Sequence, residues 1–128
     1  MNGLLRHDER AGWVHHYFRI AAVLFAVAAV VHLYQLLSGP GDRLFHAAFV
    51  GIDVVVAGLL LLLPGWLPHL FLLLAIEQVL HHGWQFAEAW KAGTFDVVSA
   101  AIIVFMPVTA VLLYIDRHRR LSGEAGKS

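Results

Sequence analysis

Nine histidines against two methionines and no cysteine make imidazole the ligand and proton carrier this chain has to offer. His32, His46, His81 and His82 lie inside long apolar runs, together with Asp53, Glu77 and the amides Gln35, Gln78 and Gln85, and Asp96 opens the last run. An ionisable group placed in hydrocarbon is costly, so each of these must be protonated, paired, metal-bound or reached by water. Mixed imidazole and carboxylate ligation suits Zn, Fe, Mn or Cu. A transition metal held among His32, His46, Asp53, Glu77, His81, His82 and Asp96, as part of a redox system, is the first chemistry to expect. The second is haem b in a haem- or quinone-linked membrane anchor, with His32 and His82 as axial ligands, Gln35 and Gln85 beside them, and Ala28, Ala29 and Gly83 leaving room for the macrocycle. The third needs no catalysis: an accessory subunit or proton-coupled carrier in which Asp53 and Glu77 relay protons. Whether the chain is an enzyme stays open among these. The absence of cysteine removes thiolate ligands, Fe–S clusters and disulfide exchange.

Such residues must be positioned by elements that composition already limits. Of the 128 residues 59% are apolar and 14% charged, against roughly a quarter charged in soluble domains. A core this small cannot hide the excess, and lipid can. Four apolar stretches, about 17–37, 44–63, 68–90 and 95–115, are each long enough to cross the hydrocarbon as a helix. Ser38, Gly39, Pro40, Gly41 and Asp42 separate the first two, Pro64 to Pro68 the next two, and Pro107 predicts a kink in the last. Nothing alternates with period two. The expected fold is all-α, a polytopic four-transmembrane-helix bundle forming one domain over 1–128.

Basic residues orient it. Arg6, Arg10 and Arg19 at one end and Arg117, Arg119, Arg120 and Lys127 at the other face only Arg43 and Lys91 in the opposite loops, which places both termini in the cytoplasm of a multi-pass inner-membrane protein. Trp13, Tyr17, Trp66, Trp90 and Tyr114 then fall at the two interfaces as anchors. The partners implied are the lipid bilayer and a homodimer or membrane-complex subunit. The zero net charge gives no pull toward nucleic acid.

In this threading His32 and His82 both lie roughly 5 to 7 Å above the bilayer middle, with Asp53 and Glu77 near the midplane. His46 and Asp53, seven apart, share a stripe, and Glu77 and His81, four apart, stand one above the other. The competing roles are ordinary: a packing histidine, interhelical amide bonds, and for Asp96 the favourable end of a helix dipole. His32, Leu33, Tyr34, Gln35 recurs as His82, Gly83, Trp84, Gln85, and at the same offset Phe45, His46 matches Phe95, Asp96. This is the pattern of two duplicated hairpins. Ala21, Ala22, Ala26, Ala28 and Ala29 on the first helix, with Ala47 and Gly51 on the second, predict close helix approach.

Arg19 ahead of an Ala-rich span ending in Val31, His32, Leu33, then Gly51, Ile52, Asp53 and the apolar run 57–64, resembles the DoxX-like group of small four-helix membrane proteins over the first half of the chain. The resemblance implies a membrane component of an oxidoreductase system. The chain departs from that pattern at Asp53, where the group has Glu, and in its His81, His82 pair.

Overall fold

The structure is a computed structural model that describes residues 2–39 and 41–126, with side chains described from residue 12 onward. Pro40, Lys127 and the side chains of Arg6, His7 and Arg10 lie outside the described ones. The described residues form four α-helices and no strand: α1 Asn2–Ser38, α2 Arg43–Leu62, α3 Leu67–Lys91 and α4 Val97–Ala125. Gly12–Ser38 of α1, α2 and α4 are long and apolar enough to cross a membrane. α3 has the length, but Glu77, Gln78, His81, His82 and Gln85 break its apolar character.

The sequence places the turns well and the outer ends short. α1 runs back through the polar N-terminal flank, and α4 continues to Ala125, ten residues past the expected end of the fourth span. Hydropathy measures how much of a helix lipid can accept, while Glu9, Arg19, Arg117 and Leu121 are good helix formers with or without lipid. At 37 residues, α1 is about 55 Å long, well beyond a hydrocarbon core of about 30 Å. Pro107 sits inside α4, which continues as helix across it; the ring leaves the Ile103 carbonyl without its helical N–H.

The chain divides into two compact units, Met1–Pro64 and Gly65–Ser128, each an antiparallel helix pair. In the first, α1 buries Val14, Phe18, Ala21, Ala22, Phe25 and Ala29, a repeat of three and four that faces one neighbour. The buried alanines let the backbones approach, whereas Ala26, Ala47 and Gly51 are exposed. On α2 and its C-cap residue Leu63 the matching seam reads His46, Phe49, Asp53, Val56, Leu60, Leu63. Two of its six positions are polar, and that is the unusual feature of this hairpin. In the second unit α3 buries Leu67, Phe71 and Ala75, and α4 buries Ser99, Met106, Thr109, Ala110, Leu113 and Asp116.

Both second helices start with an aspartate cap. Asp42 Oδ1 accepts from the Leu44 and Phe45 amides at 3.0 and 3.2 Å, and Asp96 Oδ1 accepts from the Ser99 amide at 3.0 Å. Each satisfies N–H groups that have no partner inside the helix. The two caps lie 54 positions apart (96 − 42), so by place in the helix Asp96 corresponds to Asp42, whereas the 50-residue offset pairs it with His46. Asp42→Ala is expected to destabilise the first hairpin by about 1 kcal/mol, with Asp42→Asn nearly neutral, as read by reversible unfolding in mixed micelles.

Candidate functional site

The first unit joins three of the sequence-predicted residues in one line. His32 follows Ala29 by three and so continues the buried stripe of α1 toward its C-terminal end. Its Nδ1 lies 3.1 Å from Nδ1 of His46, and its Nε2 lies 3.9 Å from Oδ2 of Asp53. Phe49 and Phe45 flank the imidazole at centroid distances of 5.3 and 6.2 Å and fix the plane of the ring. Asp53 is 5% exposed, and its Oδ2 has no hydrogen-bond partner. A buried carboxylate oxygen in that state needs a proton or a cation. Among the described residues, the charged or chargeable group paired with it is His32.

The other end of the line is open. His46 lies in the first turn of α2, and a Cβ at Gly41 would come within 3.0 Å of His46 Nε2. The ring therefore packs against the loop backbone at a residue with no side chain, where Gly41 and Asp42 are exposed. Along the axis, His46 and Asp53 are about 10 Å apart at 1.5 Å per residue. One imidazole spans that interval and touches both.

Hydrogen-bond chemistry restricts the protonation states. Two neutral imidazoles meeting Nδ1 to Nδ1 must present one N–H and one lone pair. With the proton on His46 Nδ1, His32 carries its own hydrogen on Nε2, facing Asp53. A proton arriving at His46 Nε2 from the loop side can then be balanced by transfer of the Nδ1 hydrogen to His32 and of the His32 Nε2 hydrogen to Asp53. One proton enters, one reaches the carboxylate, and both rings end neutral in the opposite tautomer. The second transfer requires the 3.9 Å gap to close by about 1 Å to reach hydrogen-bond distance.

The second unit has a different polar cluster, centred on a residue that the sequence did not single out. Ser99 is 1% exposed. Its Oγ donates to Asp96 Oδ2 at 2.6 Å and lies 3.1 Å from His82 Nδ1, with Gln85 Oε1 at 3.4 Å. Gln85 Nε2 reaches His81 Nε2 at 3.1 Å. A hydroxyl has one hydrogen, and the short contact commits it to Asp96, so His82 Nδ1–H donates to the serine oxygen. Histidine, serine and aspartate here do not form a nucleophile: the base would have to sit between the other two, and the serine does. Asp96 is occupied as a cap and as the serine's acceptor. The signal that could have marked Ser99 is its place three residues after a capping aspartate, where a side chain reaches back.

The remaining candidates lie at the edge of the second cluster or outside both. Glu77 is exposed, with Oε2 accepting from its neighbour Gln78 at 2.6 Å. His81 turns to Gln85 and the side chain of Gln35 is exposed. His32 and His82 belong to different units, each engaged within its own hairpin. Among the described residues, no group of three or more His, Asp or Glu side chains is arranged around a common point for a metal. The physical reason in the first unit is the imidazole itself. Its two nitrogens point in diverging directions, so an ion between His32 and His46 lies across the ring from Asp53.

No protein-family model, curated protein or solved structure matches this chain.

Proposed function

We propose that this chain is a multi-pass inner-membrane protein, with four spans and cytoplasmic termini, whose first helix pair carries protons between the outer loop and a carboxylate inside the membrane. It acts as an accessory or carrier subunit of a proton-coupled system. The observation that carries this reading is the line His46, His32, Asp53, in which both nitrogens of one imidazole face a titratable partner and the last carboxylate oxygen is unpartnered. Ionisable groups aligned inside a span are the usual material of proton relays. Seven of the nine Lys and Arg residues lie at the chain ends, which supports the orientation. The likeness to DoxX-like proteins in Val31, His32, Leu33 and Gly51, Ile52, Asp53 adds an oxidoreductase system as the setting.

The test is infrared difference spectroscopy of the full chain in nanodiscs as bulk pH is stepped. A protonated-carboxyl band that grows on acidification and is missing in Asp53→Asn is the expected result. An identical band in that variant would assign the proton to another carboxyl and remove the relay.

One distance favours a second reading, in which a transition metal is clipped between His32 and His46. Nδ1 atoms 3.1 Å apart are close to the spacing of two imidazoles bound to one ion at about 2.0 Å each, and Zn, Fe, Mn or Cu would take the remaining ligands from outside the hairpin. Elemental analysis decides between the two. Stoichiometric metal that is lost in His46→Ala supports the clip, and a metal-free wild type with an intact carboxyl band supports the relay.

A further inference from the structure

Arg117 is the basic side chain of α4 with an unusual partner. Arg120, one turn further on, lies 2.9 Å from the carboxylate of Asp116, as Lys91 pairs with Glu88 at 2.8 Å. Arg117 instead directs Nη1 to His69 Nε2 at 3.1 Å, across 48 positions of sequence. A guanidinium is always protonated and only donates. His69 Nε2 must therefore accept, which puts the ring hydrogen on Nδ1. Nδ1 lies 2.9 Å from Tyr114 Oη, so the ring donates there and the phenolic hydrogen is left to point elsewhere. The rings meet edge to face at 5.5 Å, which holds the three groups in place.

The outcome is one-sided. The phenolic O–H and the remaining guanidinium N–H groups are all donors, they carry a positive charge, and His69 is exposed while Tyr114 and Arg117 are half-buried. A partner that only accepts and is negative is complementary to that surface: a phosphate oxyanion. Exposed Trp66 immediately precedes α3 at the same end of the hairpin. Tryptophan and tyrosine together are the pair that settles at headgroup level.

We propose that His69, Tyr114 and Arg117 bind the phosphate of an anionic phospholipid on the cytoplasmic leaflet. This rests on the membrane reading above and is independent of the relay. Arg117 supplies the charge and the forked donors, Tyr114 one further donor, and His69 orients both as a positioning residue.

The experiment is native mass spectrometry of the full chain released from nanodiscs of phosphatidylcholine with phosphatidylglycerol, reading which lipid stays bound. The wild type is expected to retain phosphatidylglycerol preferentially, and Arg117→Gln to lower that preference about fivefold, the effect of one basic residue at a membrane surface. Tyr114→Phe, which keeps the ring and removes only the donor, lowers it in the same direction. Arg119→Gln, the same change of charge nearby, leaves it unchanged. Equal losses in Arg117→Gln and Arg119→Gln would reduce the site to diffuse charge and overturn it. Displacement of the bound lipid by inorganic phosphate at matched concentration would overturn the lipid source. Asp53→Asn is expected to retain phosphatidylglycerol as the wild type does, so failure of the relay and failure of this site are read separately. A chain that does not enter the nanodisc would defeat both.

Discussion

His32→Phe is expected to slow proton transfer to Asp53 on the order of a hundredfold, the scale of one positioned proton-transfer group, while the hairpin stays folded. Phenylalanine keeps the aromatic packing against Phe45 and Phe49 and removes both nitrogens, so the line is cut without opening a cavity. The measurement is the rate at which the Asp53 carboxyl band appears after a pH jump. His46→Gln is expected to have a smaller effect, because water from the exposed end at Gly41 and Asp42 can deliver a proton to His32 Nδ1 where the amide cannot relay one. The double variant His32→Phe with His46→Gln should be no slower than His32→Phe alone, since groups acting in series are not additive. Independent, multiplying losses would mean that His46 and His32 serve separate routes.

Ser99→Ala is expected to cost about 1 kcal/mol of stability, the net contribution of a hydrogen bond whose remaining partners solvent still reaches. The hydroxyl donates to Asp96 and lies against His82 and Gln85, and Ser99 itself is 1% exposed. The backbone cap from Ser99 N to Asp96 Oδ1 survives the change, so the loss isolates the side-chain network. Asp96→Ala removes both the network and the cap and should be the worse of the two. Unfolding in mixed micelles measures this, and a Ser99→Ala change within about 0.5 kcal/mol of wild type would class the cluster with ordinary surface substitutions.

The number and order of helices were readable because lipid demands long apolar runs and turns demand Gly, Pro and Asp, signals that do not depend on tertiary contacts. The polar ends of α1 and α4 were not, since nothing in hydropathy distinguishes a solvated helix from a solvated flank. For the site, His46 and Asp53 were legible as a pair on one seven-residue stripe, which is local geometry, whereas His32 was matched in depth to His82 and meets His46 and Asp53 through the pairing of α1 with α2. Glu77 and His81 show the limit of that reasoning. Their spacing of four puts them on one face, yet each turns to an amide neighbour instead, a choice of rotamer that spacing does not specify. Ser99, Thr109 and Asp116 were overlooked because a serine, a threonine or a terminal aspartate in a mostly apolar run reads as incidental until burial is known. His69, Tyr114 and Arg117 meet only through the pairing of α3 with α4, and no local pattern joins residues 45 and 48 positions apart.

The exposed carboxylate of Glu77 also bears on how the polypeptide reaches its place. Gly12–Ser38 of α1, α2 and α4 are long and apolar enough to cross a membrane, whereas α3 brings a charge and several imidazoles and amides with it. On the membrane reading proposed above, a helix of that kind would wait at the insertion machinery for α4 to accompany it. Biogenesis of the second hairpin would then be a two-helix event, and a ribosome stalled before Val97 would leave only the first hairpin in the bilayer.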